Sequence, residues 1–246
     1  MTMMARIVAI TGASGGLGMA MVQQFVDAGD IVYMLDLSDS AAGENTRSII
    51  TDVTDEVSVK HAIDTIIEAH GKLDVLINNA GLQHRDKVED FPVQKWRQLI
   101  DVMLTGTFLM TKYALPHMKT AKAGRIINMS SIHGMMATPE KSAYVAAKHG
   151  VIGLTDVTGI EAAPFGITVN AVCPGPVKTP MIVRQLEDLA QSEGLDEQEA
   201  LKRIIYPKQA QERFIEPHEV ANTVFFLASE AASGITMEHI KVAGGM

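Results

Sequence analysis

The glycine-rich turn at residues 11–18 constrains the fold most, because it stands between a predicted buried strand and a predicted helix. The strand, Arg6–Thr11, is an apolar run without polar alternation, which is typical of a parallel strand buried on both faces. The helix, Met19–Ala28, is amphipathic and ends at Gly29. Such a turn brings backbone N–H groups and a helix N-terminus close to a pyrophosphate, although an ordinary glycine turn is the alternative. The cofactor-binding residues expected in this turn are Gly12, Ser14, Gly16, Leu17 and Gly18.

The second predicted strand, Ile31–Leu35, ends at an acidic residue, Asp36. A carboxylate about 20 residues beyond such a turn accepts hydrogen bonds from an adenosine ribose and repels a 2′-phosphate. Neither Leu37, Ser38 nor the turn supplies a basic side chain that would neutralise that phosphate. The pattern favours NAD over NADP, and a helix-capping aspartate is the alternative.

Strands and helices alternate along the rest of the chain, which predicts an α/β fold. We expect one domain, residues 1–246, with an open, doubly wound parallel sheet of the Rossmann-like kind. Further strands are predicted at Ile49–Val53, Asp74–Ile77, Arg125–Met129, Ile167–Val172 and Ile240–Val242. Further helices are predicted at Val57–His70, Trp96–Leu115, around Tyr144 to about Ala163, and at Glu216–Glu230.

One charged, helical stretch, Met181–Gln211, has no strand partner. We expect residues 181–213 to form a helical lid over the substrate, inserted before the last helix and strand.

Ligands of such sheets bind beyond the carboxyl ends of the strands, so residues that follow the strands are candidates for the cofactor site. Asp52 and Val53 would flank an adenine after the third strand. The small residues of the Asn78–Gly81 turn would pass close to a ribose, or would simply end the strand. The cofactor residues expected at the later strand ends are Asn79, Ala80, Gly81, Pro174, Gly175 and Val177.

Tyr144 and Lys148 are four residues apart in an alanine-rich helical segment, so they share one face, one turn apart. An ammonium near a phenol stabilises the phenolate and lowers its pKa, which makes Tyr144 a candidate general acid/base. Ser131 closes the preceding strand and would hydrogen-bond the same substrate oxygen. Taken alone, the Tyr–Lys spacing is more often that of two residues on a solvated helix face.

Composition excludes several other classes of function. A net charge of −8 argues against nucleic-acid binding, and there is no run of apolar residues long enough to cross a membrane. The single cysteine, Cys173, excludes an intrachain disulfide, and no cysteine or histidine spacing suggests a metal site. Without a signal-peptide pattern, we expect a cytoplasmic protein.

These motifs together resemble the short-chain dehydrogenase/reductase family over essentially the whole chain. They are TGxxxGxG, NNAG, Ser131, Tyr144-xxx-Lys148 and the CPGPV turn. A closer likeness, to bacterial D-3-hydroxybutyrate dehydrogenases, is carried by Gly81–His84, Phe91–Trp96, His133-Gly134 and Lys141–Gly150.

The resemblance implies NAD-dependent interconversion of a small hydroxy acid, most closely D-3-hydroxybutyrate, and its keto acid. Ser131, Tyr144 and Lys148 would be catalytic, with Tyr144 and Lys148 also touching the cofactor. It further implies a homotetramer in which the helices at Trp96–Leu115 and Tyr144 share one subunit contact. The residues that would line the substrate site are Gln83, Ser131, His133, Lys141, Tyr144 and Gln185.

Three of those assignments have plainer alternatives: a solvated Lys141, a surface Gln185 and a structural His133. The chain also departs from the family. Met103 replaces an asparagine that holds a proton-relaying water, and Pro176 replaces a tryptophan that packs on a small substrate. The C-terminal pattern around Met237–Ile240 differs too. Oxidation of another alcohol or reduction of another ketone, such as a bulkier hydroxy acid, a cyclic diol or a 3-oxoacyl group, therefore stays open, as does a non-catalytic nucleotide-binding role.

Overall fold

A computed structural model describes residues 5–40, 43–202 and 209–246. Seven parallel strands form one sheet in the order β3-β2-β1-β4-β5-β6-β7, which confirms the predicted doubly wound fold. The chain order reverses between β1 and β4, so the crevice expected to bind a ligand lies at their carboxyl ends. The strands are β1 Ile7–Thr11, β2 Ile31–Asp36, β3 Thr46–Ile50, β4 Val75–Asn78, β5 Gly124–Met129, β6 Ile167–Pro174 and β7 His239–Val242.

Helices cover both faces of the sheet, and each face has its own apolar core. Phe25 of the first helix and Val224 of the last belong to one core, while Ile63 and Met110 belong to the other. Both faces of the central strands are therefore buried, which explains their continuous apolar sequences. The helices are α1 Gly16–Asp27, α2 Glu56–His70, α3 Val93–Ile100, α4 Gly106–Ala121, α5 Ser142–Ala162, α6 Pro180–Glu193, α7 Glu197–Ala200 and α8 Pro217–Leu227.

The third strand lies earlier than the sequence predicts: Thr46–Ile50 pairs with β2, and Ile49–Val53 as a whole does not. This strand is at the edge of the sheet and only partly buried, so its first three residues are polar and its apolar run is short. The apolar pattern therefore predicted only the C-terminal end of this strand. Asp52 and Val53 fall in the loop before α2.

The predicted helix Trp96–Leu115 is longer and is interrupted. Between α3 and α4, residues Asp101–Thr105 form a π-helical turn, with Gly106 N–H bonded to the Asp101 carbonyl. Such turns occur often at functional sites, and Met103, 1 % exposed, lies at the centre of this one.

The expected lid region contains α6 and α7, which pack around a small apolar cluster of Leu186, Ala190 and Ala200. Residues 203–208 lie outside the described part of the chain. Among the described helices, none is long and apolar enough to cross a membrane.

Candidate active site

A cleft of about 600 Å³ opens at the carboxyl edge of the sheet, where the chain order reverses. It brings together the glycine turn, the end of β2, the turn after β4, the end of β5, the start of α5 and the turn after β6. Its described walls are Gly12, Ser14, Gly15, Gly16, Leu17, Gly18, Asp36, Asn79, Gly81, Leu82, Met129, Ser130, Ser131, Tyr144, Lys148, Pro174, Gly175, Val177, Thr179, Pro180 and Ile182.

The glycine turn is shaped so that only glycine fits at two of its positions. Gly12 has a left-handed backbone, with φ of 61°, and a Cβ there would lie 2.9 Å from the Ala80 Cα. A Cβ on Gly18 would collide with the Gly12 carbonyl oxygen and would lie 2.7 Å from the Ala13 carbonyl oxygen. The turn is thus a bare backbone cradle at the N-terminus of α1, as a pyrophosphate requires.

Asp36 closes this cradle from the side of β2. Its Oδ2 accepts the Ser14 backbone N–H at 2.8 Å, and its Oδ1 accepts the Leu37 N–H at the same distance. The Ser14 hydroxyl lies 2.9 Å from the Ser40 hydroxyl. The carboxylate therefore lies at the cleft wall beside the turn, and α2 is capped by a different aspartate, Asp55.

The turn after β4 is tied to the glycine turn by side-chain hydrogen bonds. Thr11 Oγ1 accepts the backbone N–H groups of Asn79 and Ala80, at 2.9 and 3.0 Å. The Asn79 amide nitrogen donates to the carbonyls of Thr11 and Gly12, each at 3.0 Å. Asn79 thus holds the cofactor cradle in place, whereas Asn78 is buried under it and donates to Asn128 at 2.8 Å.

The three predicted catalytic side chains meet in the cleft. Lys148 is 5 % exposed, and its Nζ lies 5.6 Å from the centre of the Tyr144 ring. That amine donates to the Met129 carbonyl at 2.7 Å, which holds it against the end of β5. A hydrogen bond from the Ser131 hydroxyl lowers the pKa of the Tyr144 phenol.

The electrostatics differ from the prediction that Lys148 lowers the pKa of Tyr144. Loss of hydration raises the pKa of the Tyr144 phenol, and the main opposing effect is the hydrogen bond from Ser131. Burial also lowers the pKa of Lys148 to about 8. The amine is therefore partly neutral just above neutral pH, and its hydrogen bond goes to a carbonyl rather than to the phenol.

Two of the predicted substrate residues flank the Tyr144 ring. The His133 ring packs edge-on against it, with 5.9 Å between centroids, and the Lys141 Nζ lies 6.0 Å from its centre. Lys141 is the residue just before α5, so it is held at the N-terminal end of the helix that carries Tyr144. Tyr144 therefore has one lysine on each side along this helix.

A strap between two loops fixes that helix end. Asp86 pairs with Lys141 as an isolated β-bridge, and the Asp86 N–H donates to the Glu140 carbonyl at 3.0 Å. Arg85 forms an ion pair of 2.6 Å with the Glu140 carboxylate. Glu140 has a left-handed backbone, with φ of 65°, which this pairing helps to maintain. The loop that carries Gln83 is thereby attached to the loop that carries Lys141.

Some predicted site residues lie elsewhere than in the cleft wall. Val53 is buried and packs on Gly106, where an added Cβ would lie 2.9 Å from its Cγ2. Asp52 accepts the Thr54 N–H and hydroxyl as a loop cap. Ala80 contacts the back of Gly12. Gln83 has a buried amide oxygen without a partner in the described structure. Gln185 belongs to α6, but its side chain is outside the described residues.

Sequence reasoning also missed several residues of the cleft. Thr179 caps α6, accepting the Ile182 N–H at 3.4 Å, and this cap places the first turn of α6 at the cleft. A threonine followed by a proline is a helix-start signal, so Thr179 was open to prediction. The missed residues are Gly15, Leu82, Met129, Ser130, Thr179, Pro180 and Ile182.

Known proteins share this sequence and architecture. A family model described as short chain dehydrogenase matches residues 6–190. The chain is 40% identical to an uncharacterized oxidoreductase of Bacillus subtilis, over 98% of this chain and 97% of that protein. It is 35% identical to a D-beta-hydroxybutyrate dehydrogenase of Rhizobium meliloti, over 98% of each. A crystal structure of NAD+-bound xylitol dehydrogenase is similar over 98% of both chains, with a TM-score of 0.91 and 29% identity.

Proposed function

Since this chain belongs to the short chain dehydrogenase family and is an NAD-dependent oxidoreductase, we propose that its substrate is a small secondary hydroxy acid. The substrate closest to this proposal is D-3-hydroxybutyrate, which the enzyme would oxidise to the keto acid acetoacetate. The observation that carries the proposal is the second cation beside Tyr144. Lys141 lies 6.0 Å from the ring, in addition to the buried Lys148. A carboxylate close to the reacting carbon finds its counter-charge there.

The residues of the cleft fit a dinucleotide. A side chain at Gly12 would collide with the Ala80 backbone and one at Gly18 with the carbonyls of the turn, so only glycine allows the tight turn whose N–H groups would meet a pyrophosphate. Asp36 would accept the hydroxyls of the adenosine ribose, and Lys148 those of the nicotinamide ribose. When bound, NAD supplies the hydride acceptor for the reaction.

Tyr144 then has the position of the general base. In the oxidative direction its phenolate takes the hydroxyl proton of the substrate, and in reduction its phenol returns that proton. Ser131 donates a hydrogen bond to the Tyr144 phenol oxygen and so favours the phenolate form. The Lys148 amine, held by the Met129 carbonyl, adds positive charge on the cofactor side of the ring.

Further residues support an acid substrate. The strap through Arg85 and Glu140 holds Lys141 at the start of α5, close to Tyr144. The buried amide oxygen of Gln83 belongs to a side chain in the adjoining loop, where its NH₂ group would bind a carboxylate oxygen. The Rhizobium meliloti relative, named for hydroxybutyrate, supports the same substrate.

A second candidate is the oxidation of another alcohol, such as a polyol or a bulkier hydroxy acid. It is favoured by the likeness to xylitol dehydrogenase and by Pro176, whose carbonyl accepts the Ile215 N–H where hydroxybutyrate enzymes place a tryptophan. The chemistry of Tyr144 is the same in both cases, and the two differ in the role of Lys141.

Initial rates of NAD reduction separate these candidates. The panel comprises D-3-hydroxybutyrate, its L enantiomer, 2-butanol, xylitol and a cyclic hydroxy acid. Lys141→Met is expected to raise KM for the acids at least about tenfold, the loss of a charge-assisted contact, and to leave KM for the neutral alcohols unchanged. Lys87→Met, at an exposed position, is the matched control. Equal effects on acids and neutral alcohols would contradict the acid assignment.

A further variant tests whether the chain is catalytic at all. Tyr144→Phe is expected to abolish turnover while NADH still binds, as followed by nucleotide fluorescence. Retained turnover would refute the role of Tyr144. Absence of NAD reduction by the wild-type chain with every substrate would instead support a nucleotide-binding role without catalysis.

The proposal extends to assembly and location. Exposed apolar side chains on the outer surfaces of α4 and α5, Phe108, Val157 and Ile160, support a homotetramer with these helices in one subunit contact. A single, fully buried cysteine suits the reducing cytoplasm.

A further inference from the structure

We propose that His133 carries protons between the Tyr144–Ser131 pair and solvent during turnover. This inference rests on the proposed oxidation of an alcohol, and it assigns His133 a role other than holding the substrate carboxylate. It follows from the hydrogen bonds that connect the described polar groups around Tyr144.

Each oxidative turnover leaves a proton on Tyr144, and the phenolate must be restored before the next substrate reacts. The ring of Tyr144 is partly exposed and lines the cleft. When cofactor and substrate fill that cleft, they cover this open side. A route through the protein is then needed.

The side of Tyr144 that faces α3 and the π-helical turn is apolar. Tyr144 packs there against a cluster that includes Phe91, Leu99 and Met103, each less than a tenth exposed. A thioether does not pass protons along a hydrogen-bond chain. The amine of Lys148 is bonded to the Met129 carbonyl, which has no proton to exchange, so the described side chains continue no proton path from this amine to solvent.

The remaining direction contains a continuous line of groups that exchange protons. The Ser131 hydroxyl is bonded to Tyr144, and its Oγ lies 3.4 Å from His133 Nδ1. His133 Nε2 lies 2.8 Å from Thr138 Oγ1, and Thr138 is partly exposed in the loop before α5. The link of 3.4 Å is long, as hydrogen bonds in ligand-free sites often are before they tighten.

Local packing holds His133 in this line. Ser131 caps the short 3-10 turn Ile132–Gly134 and accepts the His133 backbone N–H at 3.2 Å. A Cβ on Gly134 would lie 2.9 Å from the Lys148 carbonyl oxygen, so the turn is pressed against α5.

The proton balance is simple. The substrate hydroxyl proton passes to Tyr144 as the hydride leaves the substrate carbon for NAD. The phenol proton then moves to Ser131 Oγ while the Ser131 hydroxyl proton moves to His133 Nδ1. The imidazolium releases a proton through Thr138 to water, and exchange of its remaining ring proton with solvent restores the tautomer with a free Nδ1. The net reaction converts the alcohol and NAD+ into the ketone, NADH and one free proton.

The test is chemical rescue. His133→Ala is expected to lower kcat about 100-fold at neutral pH, and imidazole added to the assay is expected to restore a large part of it. His133→Asn, which keeps a hydrogen-bonding side chain but cannot relay a proton, is expected to fall by a similar factor. Thr138→Val is expected to give a smaller loss. His149→Ala, whose exposed ring bonds only the Val145 carbonyl in the described structure, is the control.

The solvent deuterium isotope effect on kcat gives a second measurement, and it is expected to increase in His133→Ala because proton release becomes slower. Unchanged NADH affinity shows that the variant is folded. Unchanged kcat with a raised KM for acids alone would overturn the relay and identify His133 as a carboxylate contact. So would a loss of kcat that imidazole does not restore. An inactive wild-type chain would instead overturn the proposed function. The variants test only the role of His133, so the two failures can be told apart.

Discussion

The Asp36 carboxylate holds the backbone N–H of Ser14, with 2.8 Å between Oδ2 and the nitrogen. This bond joins the end of β2 to the glycine turn. Asp36, which is expected to bind the ribose hydroxyls, therefore also holds the turn that is expected to bind the phosphates. Substituting Asp36 should therefore change both cofactor choice and cofactor affinity.

Asp36→Ala is expected to lower kcat/KM with NAD by about tenfold or more, and to reduce the preference for NAD over NADP. The carboxylate no longer accepts the ribose hydroxyls and no longer repels a 2′-phosphate. Initial rates with both cofactors measure the ratio. Asp39→Ala, at an exposed position nearby, is the control. An unchanged NAD/NADP ratio would contradict the role of Asp36.

Gly18→Ala is expected to abolish NADH binding and to lower the melting temperature, because its methyl group meets the carbonyl oxygens of Gly12 and Ala13. These atoms are backbone and can move only if the turn and α1 separate. Gly234→Ala is the control, since a Cβ there meets nothing within 4 Å. Fluorescence titration and thermal melting check both variants, and normal NADH binding by Gly18→Ala would count against the cradle geometry.

The stability of the ligand-free protein should depend on pH through Lys148. Its pKa is lowered to about 8 when folded, so above that pH the unfolded chain binds more protons at this site than the folded one. Stability then rises with pH, by about 2 kcal/mol between pH 7.5 and 9.5. Above pH 10 the raised pKa of Tyr144 has the opposite effect: the folded protein keeps that proton longer than the unfolded chain, so stability falls with pH.

Urea unfolding of the wild type and of Lys148→Met, at a series of pH values, isolates this effect. The difference between their free energies of unfolding is expected to change across that range, whereas Lys87→Met should follow the wild type. A constant difference would show that Lys148 titrates normally in the folded protein.

Ile160→Asp is expected to dissociate the proposed tetramer. Ile160 is 65 % exposed on α5, near Val157 at 55 %, and a carboxylate cannot be buried there without a partner. Sedimentation velocity measures the assembly. Val57→Asp, on α2 and 75 % exposed, is the control. A wild-type monomer, or an assembly indifferent to the Ile160 change, would contradict this surface as the contact.

Much of the architecture was predictable because the central strands are buried on both faces and read as apolar runs. The helix around Tyr144 and strands β1, β5 and β6 lie where the sequence places them, within two residues. The third strand was misplaced because an edge strand begins with polar residues, Thr46–Ser48, which the hydrophobic pattern does not register.

The site was predictable in position more than in its interactions. The fold brings Ser131, Tyr144 and Lys148, which the sequence motifs singled out, to one cleft. The pKa of Lys148 depends on how completely it is buried and on its bond to the Met129 carbonyl, and neither is encoded in local spacing. The strap between Arg85 and Glu140 joins residues 55 positions apart, so only the folded chain reveals it.

The π-helical turn at Asp101–Thr105 has a consequence for how this chain tolerates changes in length. A π turn contains one residue more than the α-helical turn it replaces. Deleting a single residue there would turn the π turn into an ordinary α-helical turn that covers nearly the same rotation, so α3 would keep its orientation relative to α4. Leu99 would then stay in the apolar cluster beside Tyr144. A one-residue deletion within α4 itself would instead rotate the residues on either side of it by about 100° relative to each other.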